Sequence, residues 1–185
     1  MESRQIILAG IGMGSKELIT AEVRKLIEEA DCLIGAERML ACAIKLRNSE
    51  EKCTRECTKY QEYRTEKIIS YLQKHKEYKQ IVILLSGDTG FYSGAKNLRN
   101  QLLEKLSLVE EKKIKILPGI SSLSYLASKV GVSWEDAKIL SLHGKDMNFV
   151  QTIHRHPKTF LLLGGKNTGR YFYETLSEYG LGDVQ

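Results

Sequence analysis

The sequence predicts an α/β fold built on a mostly parallel sheet. Two observations predict it. Short, continuously apolar runs alternate with apolar stripes at helical spacing, and three of the runs lead straight into loops that carry glycine. The loops are Gly10-Ile11-Gly12-Met13-Gly14, Ser86-Gly87-Asp88-Thr89-Gly90-Phe91-Tyr92 and Pro118-Gly119-Ile120-Ser121-Ser122. The runs before them are Gln5 to Ala9, Ile81 to Leu85 and Ile114 to Leu117. In an open α/β sheet the crevice outside the carboxyl ends of the strands takes the ligand. Glycine there lets the main chain approach it. Three such loops in one chain predict a bound small molecule.

Taken in order, Ile6-Ile7-Leu8-Ala9 reads as a buried strand. Leu18, Ile19, Val23, Leu26, Ile27 and Ala30 follow at helical spacing, with Thr20 as the N-cap. Cys32-Leu33-Ile34 is a second strand, ended by Gly35, and Met39, Leu40, Ala43 and Leu46 mark a second helix. From Arg47 to Arg64 the chain is polar and poorly periodic, so a surface connection is predicted there. Ile68, Ile69 and Leu72 mark the next helix. Ile81 to Leu85, apolar at every position, fits a parallel strand covered on both faces. A helix over Ala95–Leu106, a strand over Ile114–Leu117 and a helix over Ser122–Val130 come next, with Gly131 as a C-cap.

After Trp134 the register changes. Ile139–Leu142 and Phe160–Leu163 read as strands of a second sheet, with helices around Phe149–Ile153 and Tyr171–Tyr179. The expected division is a first lobe over residues 1–118 and a second over 119–185. The second, of about 65 residues, is small for an independent core, and it stops where one more strand is expected.

A chain of 185 residues with 42% hydrophobic and 28% charged content is ordinary for a soluble protein. No apolar run approaches the roughly 20 residues that span a bilayer. Met1-Glu2-Ser3-Arg4 leads directly into a strand, so the expected location is the cytoplasm. The four cysteines Cys32, Cys42, Cys53 and Cys57 are expected to be free thiols, since Cys53 and Cys57 do not form a Cys-x-x-Cys pair and no histidine lies near them. No protein metal site is expected. The net charge of +5 is mild, with lysines interleaved with glutamates, which is not a nucleic-acid footprint.

The first loop invites comparison with a dinucleotide fingerprint, Gly-x-Gly-x-x-Gly opening a helix. Here the spacing is Gly-x-Gly-x-Gly, and Thr20, the first good cap, lies six residues past Gly14. A pyrophosphate would have no helix N-terminus beneath it. In the second loop Asp88 places a carboxylate at the crevice, suited to ribose hydroxyls or an amine, or else it caps the next helix. In the third loop Ser121 or Ser122 is an N-cap, and the helix start offers hydroxyl and N–H groups.

Together, Gly-x-Gly-x-Gly, Gly-Asp-x-x-x-Tyr and Pro-Gly-x-Ser-Ser resemble the tetrapyrrole (corrin/porphyrin) methylase family over essentially the whole chain. Gly90-Phe91-Tyr92, Gly131-Val132-Ser133-Trp134-Glu135-Asp136-Ala137, Ser141-Leu142-His143-Gly144-Lys145 and Gly164–Thr168 are similar to its subgroup acting on carbon 5 of precorrin-7 or cobalt-precorrin-7. Met13 and Thr89 stand where the family often has proline, and Lys145 where the subgroup commonly has arginine.

The resemblance implies two α/β lobes with mostly parallel sheets and a ligand cleft between them. It implies S-adenosylmethionine-dependent methylation of a precorrin in cobalamin biosynthesis. Matched positions would place Met13, Gly87, Asp88, Phe91, Ser121, Ser122 and Leu163 at the cofactor, and Gly10, Gly12, Gly14, Tyr92 and Lys145 at the substrate. His143 is the candidate proton acceptor. A homodimer is expected, as is a companion carbon-15 methyltransferase/decarboxylase. Two alternatives stand beside this: a same-fold methyltransferase of the ribosomal-RNA ribose or diphthine type, and a non-catalytic S-adenosylmethionine-binding module. The weak basic character argues against RNA.

Overall fold

Ile6, Ile7, Leu8 and Ala9 show no polar alternation because both faces of their strand are covered. The structure is a computed structural model and describes residues 4–49, 56–106, 113–142, 148–164 and 169–183. Strand β1 (Gln5–Gly10) lies between β4 (Gln80–Leu85) and β5 (Ile114–Leu117), and pairs parallel with both. Strand β2 (Cys32–Gly35) joins the other side of β4, and β3 (Thr58–Gln61) forms the far edge, giving the order β3-β2-β4-β1-β5. All four pairings are parallel, as the continuous apolar runs predict.

Side chains on β1 alternate between two cores. Ile6 and Leu8 pack with α3 (Thr65–Lys74) and α4 (Ala95–Lys105), through Ile68, Leu72, Leu98 and Leu102. Ile7 and Ala9 pack with α1 (Ala21–Glu29) and α2 (Glu37–Ser49), through Val23, Ile27, Met39 and Leu46. Burying each such large aliphatic side chain contributes about 1.5–3 kcal/mol. Thr20 caps α1 as predicted, its hydroxyl accepting from the Val23 N–H at 3.4 Å. At the other end of α1 the buried Arg47 donates through Nη1 to the carbonyls of Ile27 at 2.5 Å and Glu28 at 2.7 Å. A cation of α2 thus satisfies terminal acceptors of α1.

The surface connection predicted over Arg47–Arg64 is corrected in two respects: Arg47 to Ser49 belong to α2, with Arg47 buried, and the connection contains β3. Thr58, Lys59 and Gln61 are exposed, so an edge strand here has no apolar run to announce it. Its half-buried Tyr60 stacks on Tyr71 of α3, ring centroids 3.8 Å apart.

The chain divides into two compact units, Met1–Tyr125 and Leu126–Gln185, the division falling within α5 (Ser122–Val130). In the second unit β6 (Lys138–Ser141) and β7 (Thr159–Leu162) pair parallel as a separate sheet. Leu140, Leu142, Phe149 and Leu176 form its small core with α6 (Phe149–Arg155) and α7 (Gly169–Glu178). Helix α5 ends as predicted at Gly131, which has φ +70°, and Val132 N–H donates to the Ala127 carbonyl at 3.0 Å. Among the described residues no helix is long and apolar enough to cross a membrane, and no group of three or more His, Cys, Asp or Glu could hold a metal ion.

Candidate active site

The three glycine-bearing loops leave the carboxyl ends of the neighbouring strands β4, β1 and β5, and their backbones interlock. Beyond the end of β1, the Ile11 N–H donates to the Leu85 carbonyl at 3.0 Å. Gly12 and Gly87 then exchange both hydrogen bonds, at 3.1 and 2.8 Å, as an antiparallel bridge between parallel strands. Both residues have positive φ, +67° and +68°, which glycine adopts at no steric cost. Gly119 of the third loop packs against Gly87 and Gly10. A Cβ placed on it would lie 2.3 Å from the Gly87 carbonyl oxygen and 2.6 Å from Gly10. At Gly10 a Cβ would lie 2.7 Å from both Gly119 N and Gly87 O. Gly10 and Gly119 therefore serve loop-to-loop contact directly.

Asp88 fastens the same junction. Its Oδ1 accepts the Gly90 N–H at 2.8 Å, and its Oδ2 accepts the Gly119 N–H at 3.0 Å, joining the second loop to the third. It does not cap α4, where Ser93 Oγ accepts from the Ala95 N–H instead. Beside it Thr89 Oγ1 donates to the Leu117 carbonyl at 3.2 Å. A carboxylate has about four acceptor positions, so these two bonds leave Asp88 capacity for a ligand donor.

Ser121, buried, is the N-cap of α5: its Oγ accepts the Ser124 N–H at 3.1 Å. Ser122 opens the helix, in whose first turn the N–H groups lack intrahelical acceptors. Phe91 and Tyr92 meet edge to face, centroids 5.1 Å apart. Tyr92 is 60% exposed and holds φ +47°, an unfavourable conformation for an aromatic residue. Met13 and Gly14 are half-buried in the first loop. Leu163 follows β7 in the second unit and is 40% exposed. His143 and Lys145 lie outside the described residues.

Two further groups stand out in the structure, Arg38, which the resemblance suggests only as a cation for the substrate's acid groups, and Glu62, which sequence reasoning does not single out. Arg38, in the first turn of α2, donates through Nη2 to Ser86 Oγ at 3.1 Å, and its Nη1 lies 3.9 Å from a Cβ placed on Gly14. Arg38 thus stands between the first and second loops. Glu62, just past β3, is buried, and its carboxylate takes the N–H groups of Tyr63 and Arg64 and both arms of the Arg64 guanidinium. No spacing signal marks either one. The Arg38 contact becomes visible only when β2 and β4 are side by side, whereas the partners of Glu62 are its next two residues.

The Arg64 guanidinium, together with these backbone donors, pushes the Glu62 carboxyl down from 4.5 to about 2. A lowered folded-state value means stabilisation present above the unfolded carboxyl range and lost as pH falls through the folded value. Glu62→Gln should therefore lower stability at neutral pH and flatten the fall in stability between about pH 4.5 and 2. Acid denaturation followed by circular dichroism reads this. Parallel profiles for the two proteins would remove Glu62 as a stabilising group.

Residues 5–178 match the family model of the tetrapyrrole (corrin/porphyrin) methylases. The chain is 34% identical over 162 residues to the "probable cobalt-precorrin-7 C(5)-methyltransferase" of Methanocaldococcus jannaschii, covering 85% of this chain and 70% of the relative. It is 24% identical to the "cobalt-precorrin-7 C(5)-methyltransferase" of Salmonella typhimurium, over 96% of this chain and 80% of that one. Among solved structures, the uroporphyrin-III C-methyl transferase of Thermus thermophilus complexed with S-adenosyl homocysteine superposes with a TM-score of 0.64. That match has 22% identity and covers 95% of this chain and 77% of the other, a likeness of fold. With the predicted α/β architecture present and nearly the whole chain matched, the protein belongs to the tetrapyrrole (corrin/porphyrin) methylases and is a methyltransferase.

Proposed function

We propose that the protein methylates carbon 5 of precorrin-7 or cobalt-precorrin-7 with S-adenosylmethionine, in cobalamin biosynthesis. The 34% identity to a relative of that name carries this reading. The site supports it chemically. Asp88 retains acceptor capacity toward an amine or ribose hydroxyls, and the start of α5 offers N–H groups to a carboxylate. Gly87, Phe91, Ser122, Met13 and Leu163 complete the proposed cofactor set, with Ser121 shaping the helix start.

When bound, S-adenosylmethionine supplies an electrophilic methyl group on sulfur. The conjugated macrocycle supplies the carbon nucleophile, so this chain needs no Ser, Cys or His nucleophile. Its work is alignment, and holding two reactants in line can provide roughly 7–11 kcal/mol of the barrier. Gly12, Gly14 and Tyr92 are proposed to face the macrocycle, with Gly10 supporting them from behind and Lys145 as a cation for an acid side chain. His143 is the proposed acceptor of the proton that leaves. The reading also takes residues 1–118 and 119–185 as its two lobes, a cytoplasmic homodimer as the working form, and a separate carbon-15 methyltransferase/decarboxylase as companion.

The test is an anaerobic assay with metal-free and cobalt-loaded precorrin-7, read by mass spectrometry as gain of one methyl group. Binding of S-adenosylmethionine without transfer to either substrate would overturn the carbon-5 assignment. Sedimentation of the same preparation reads the oligomeric state, and a monomer at all concentrations would remove the dimer.

A further inference from the structure

Resting on the reading just given, we propose that Lys16, Arg38 and Lys45 form a carboxylate-receiving subsite beside the first glycine loop. It would select tetrapyrroles that carry acid side arms. The observation is a cavity of about 510 Å³ lined by Gly14, Ser15, Lys16, Glu17, Cys42 and Lys45. It lies between the end of the first loop and one face of α2.

Helical spacing builds that face. Arg38, Cys42 and Lys45 stand at i, i+4 and i+7, so they share one side of α2. Cys42 is buried at its middle, and Lys45 and Arg38 are exposed on either side. Burial pushes the Cys42 thiol up, Glu17 adds to this, and Lys45 and Arg38 oppose it. Across the cavity Lys16 begins a short 3-10 helix over Lys16–Leu18. Among the described residues, Lys16, Arg38 and Lys45 enter no ion pair, while Glu17 accepts from the Ser15 hydroxyl. Two lysines and one carboxylate line the cavity, and Arg38 adds a third cation at its edge beside Gly14, so an excess of positive charge is left for a ligand.

Arg38 links this cavity to the active site, because its guanidinium also bonds Ser86 beside Gly87 and Asp88. A flat macrocycle lying along the first loop could drop an acetate or propionate arm into the cavity while the ring stays outside. An apolar tetrapyrrole would leave the cations uncompensated, so the subsite discriminates by charge. A carboxylate could also come from the methionine end of S-adenosylmethionine. The experiment separates the two sources.

The double variant Lys16→Gln/Lys45→Gln changes exposed side chains outside the core. It should raise KM for precorrin-7 about tenfold, with kcat and the affinity for S-adenosylmethionine within about twofold. It should also weaken the binding of uroporphyrin, followed by fluorescence, and reduce the salt dependence of that binding. The charge-preserving Lys45→Arg variant should behave as the native protein. An unchanged KM, or a cofactor affinity that falls in step with it, overturns the assignment. If the native protein transfers no methyl group to precorrin-7, the parent reading fails. Uroporphyrin then decides the subsite alone: weaker binding by the double variant upholds it, and equal binding or none removes it.

Discussion

Gly119→Ala should cost about 3 kcal/mol, near the upper end for overpacking a closed site. The melting temperature should fall by roughly 10 °C. The new Cβ would meet the Gly87 carbonyl oxygen at 2.3 Å and Gly10 at 2.6 Å. Neither neighbour is a side chain that can turn away. Gly87 is held by two hydrogen bonds to Gly12, and Gly10 is the last residue of a strand paired with β4. The loops must part, so affinity for S-adenosylmethionine and methyl transfer should fall with stability. Gly14→Ala is the comparison. Its Cβ would meet only Arg38 Nη1 at 3.9 Å, leaving the cost of an alanine at φ +92°, about 1–2 kcal/mol. A Gly119→Ala protein that melts and reacts like the native one would show that the loops are not clasped at this point.

Asp88→Ala should weaken cofactor binding by roughly 10- to 100-fold and lower stability by about 1.5–3 kcal/mol, the range for hydrogen bonds to a charged group. The two losses share one cause. Removing the carboxylate strands the N–H groups of Gly90 and Gly119 and unties the second loop from the third. Asp88→Asn keeps one acceptor oxygen but turns an amino group toward a second donor, so it should fall between alanine and the native residue. Calorimetric titration and thermal melting together discriminate the roles. Loss of affinity at an unchanged melting temperature would make Asp88 a ligand contact alone. Unchanged affinity in a folded variant would exclude it from the site.

The core of the fold was legible because its signal is local. Ile81–Leu85 is apolar without interruption, and that run can only sit where both faces of a strand are covered. Thr20 and Gly131 announced the ends of helices by their own chemistry. Strand β3 was illegible for the opposite reason: an edge strand with polar, exposed side chains carries no period to detect. In the site, the glycines and Asp88 could be picked out one by one, and a serine cap at α5 was expected. Their partners could not. The Asp88–Gly119 bond joins residues 31 apart, and Arg38 reaches Ser86 across 48, distances that only strand order resolves. The closest packing, at Gly10 and Gly119, reflects missing side chains, which a sequence records only as small residues.

The placement of β1 has a consequence for how the chain assembles. Strand β1 is synthesised before both of its partners, Gln80–Leu85 on one side and Ile114–Leu117 on the other. Ile6 to Ala9 must wait as an apolar segment with open backbone groups until most of the first unit has been synthesised. Contacts this distant in sequence slow folding and prolong exposure to aggregation. Shielding of β1 during synthesis is therefore expected to bear on yield in the cell, alongside the final strength of the sheet.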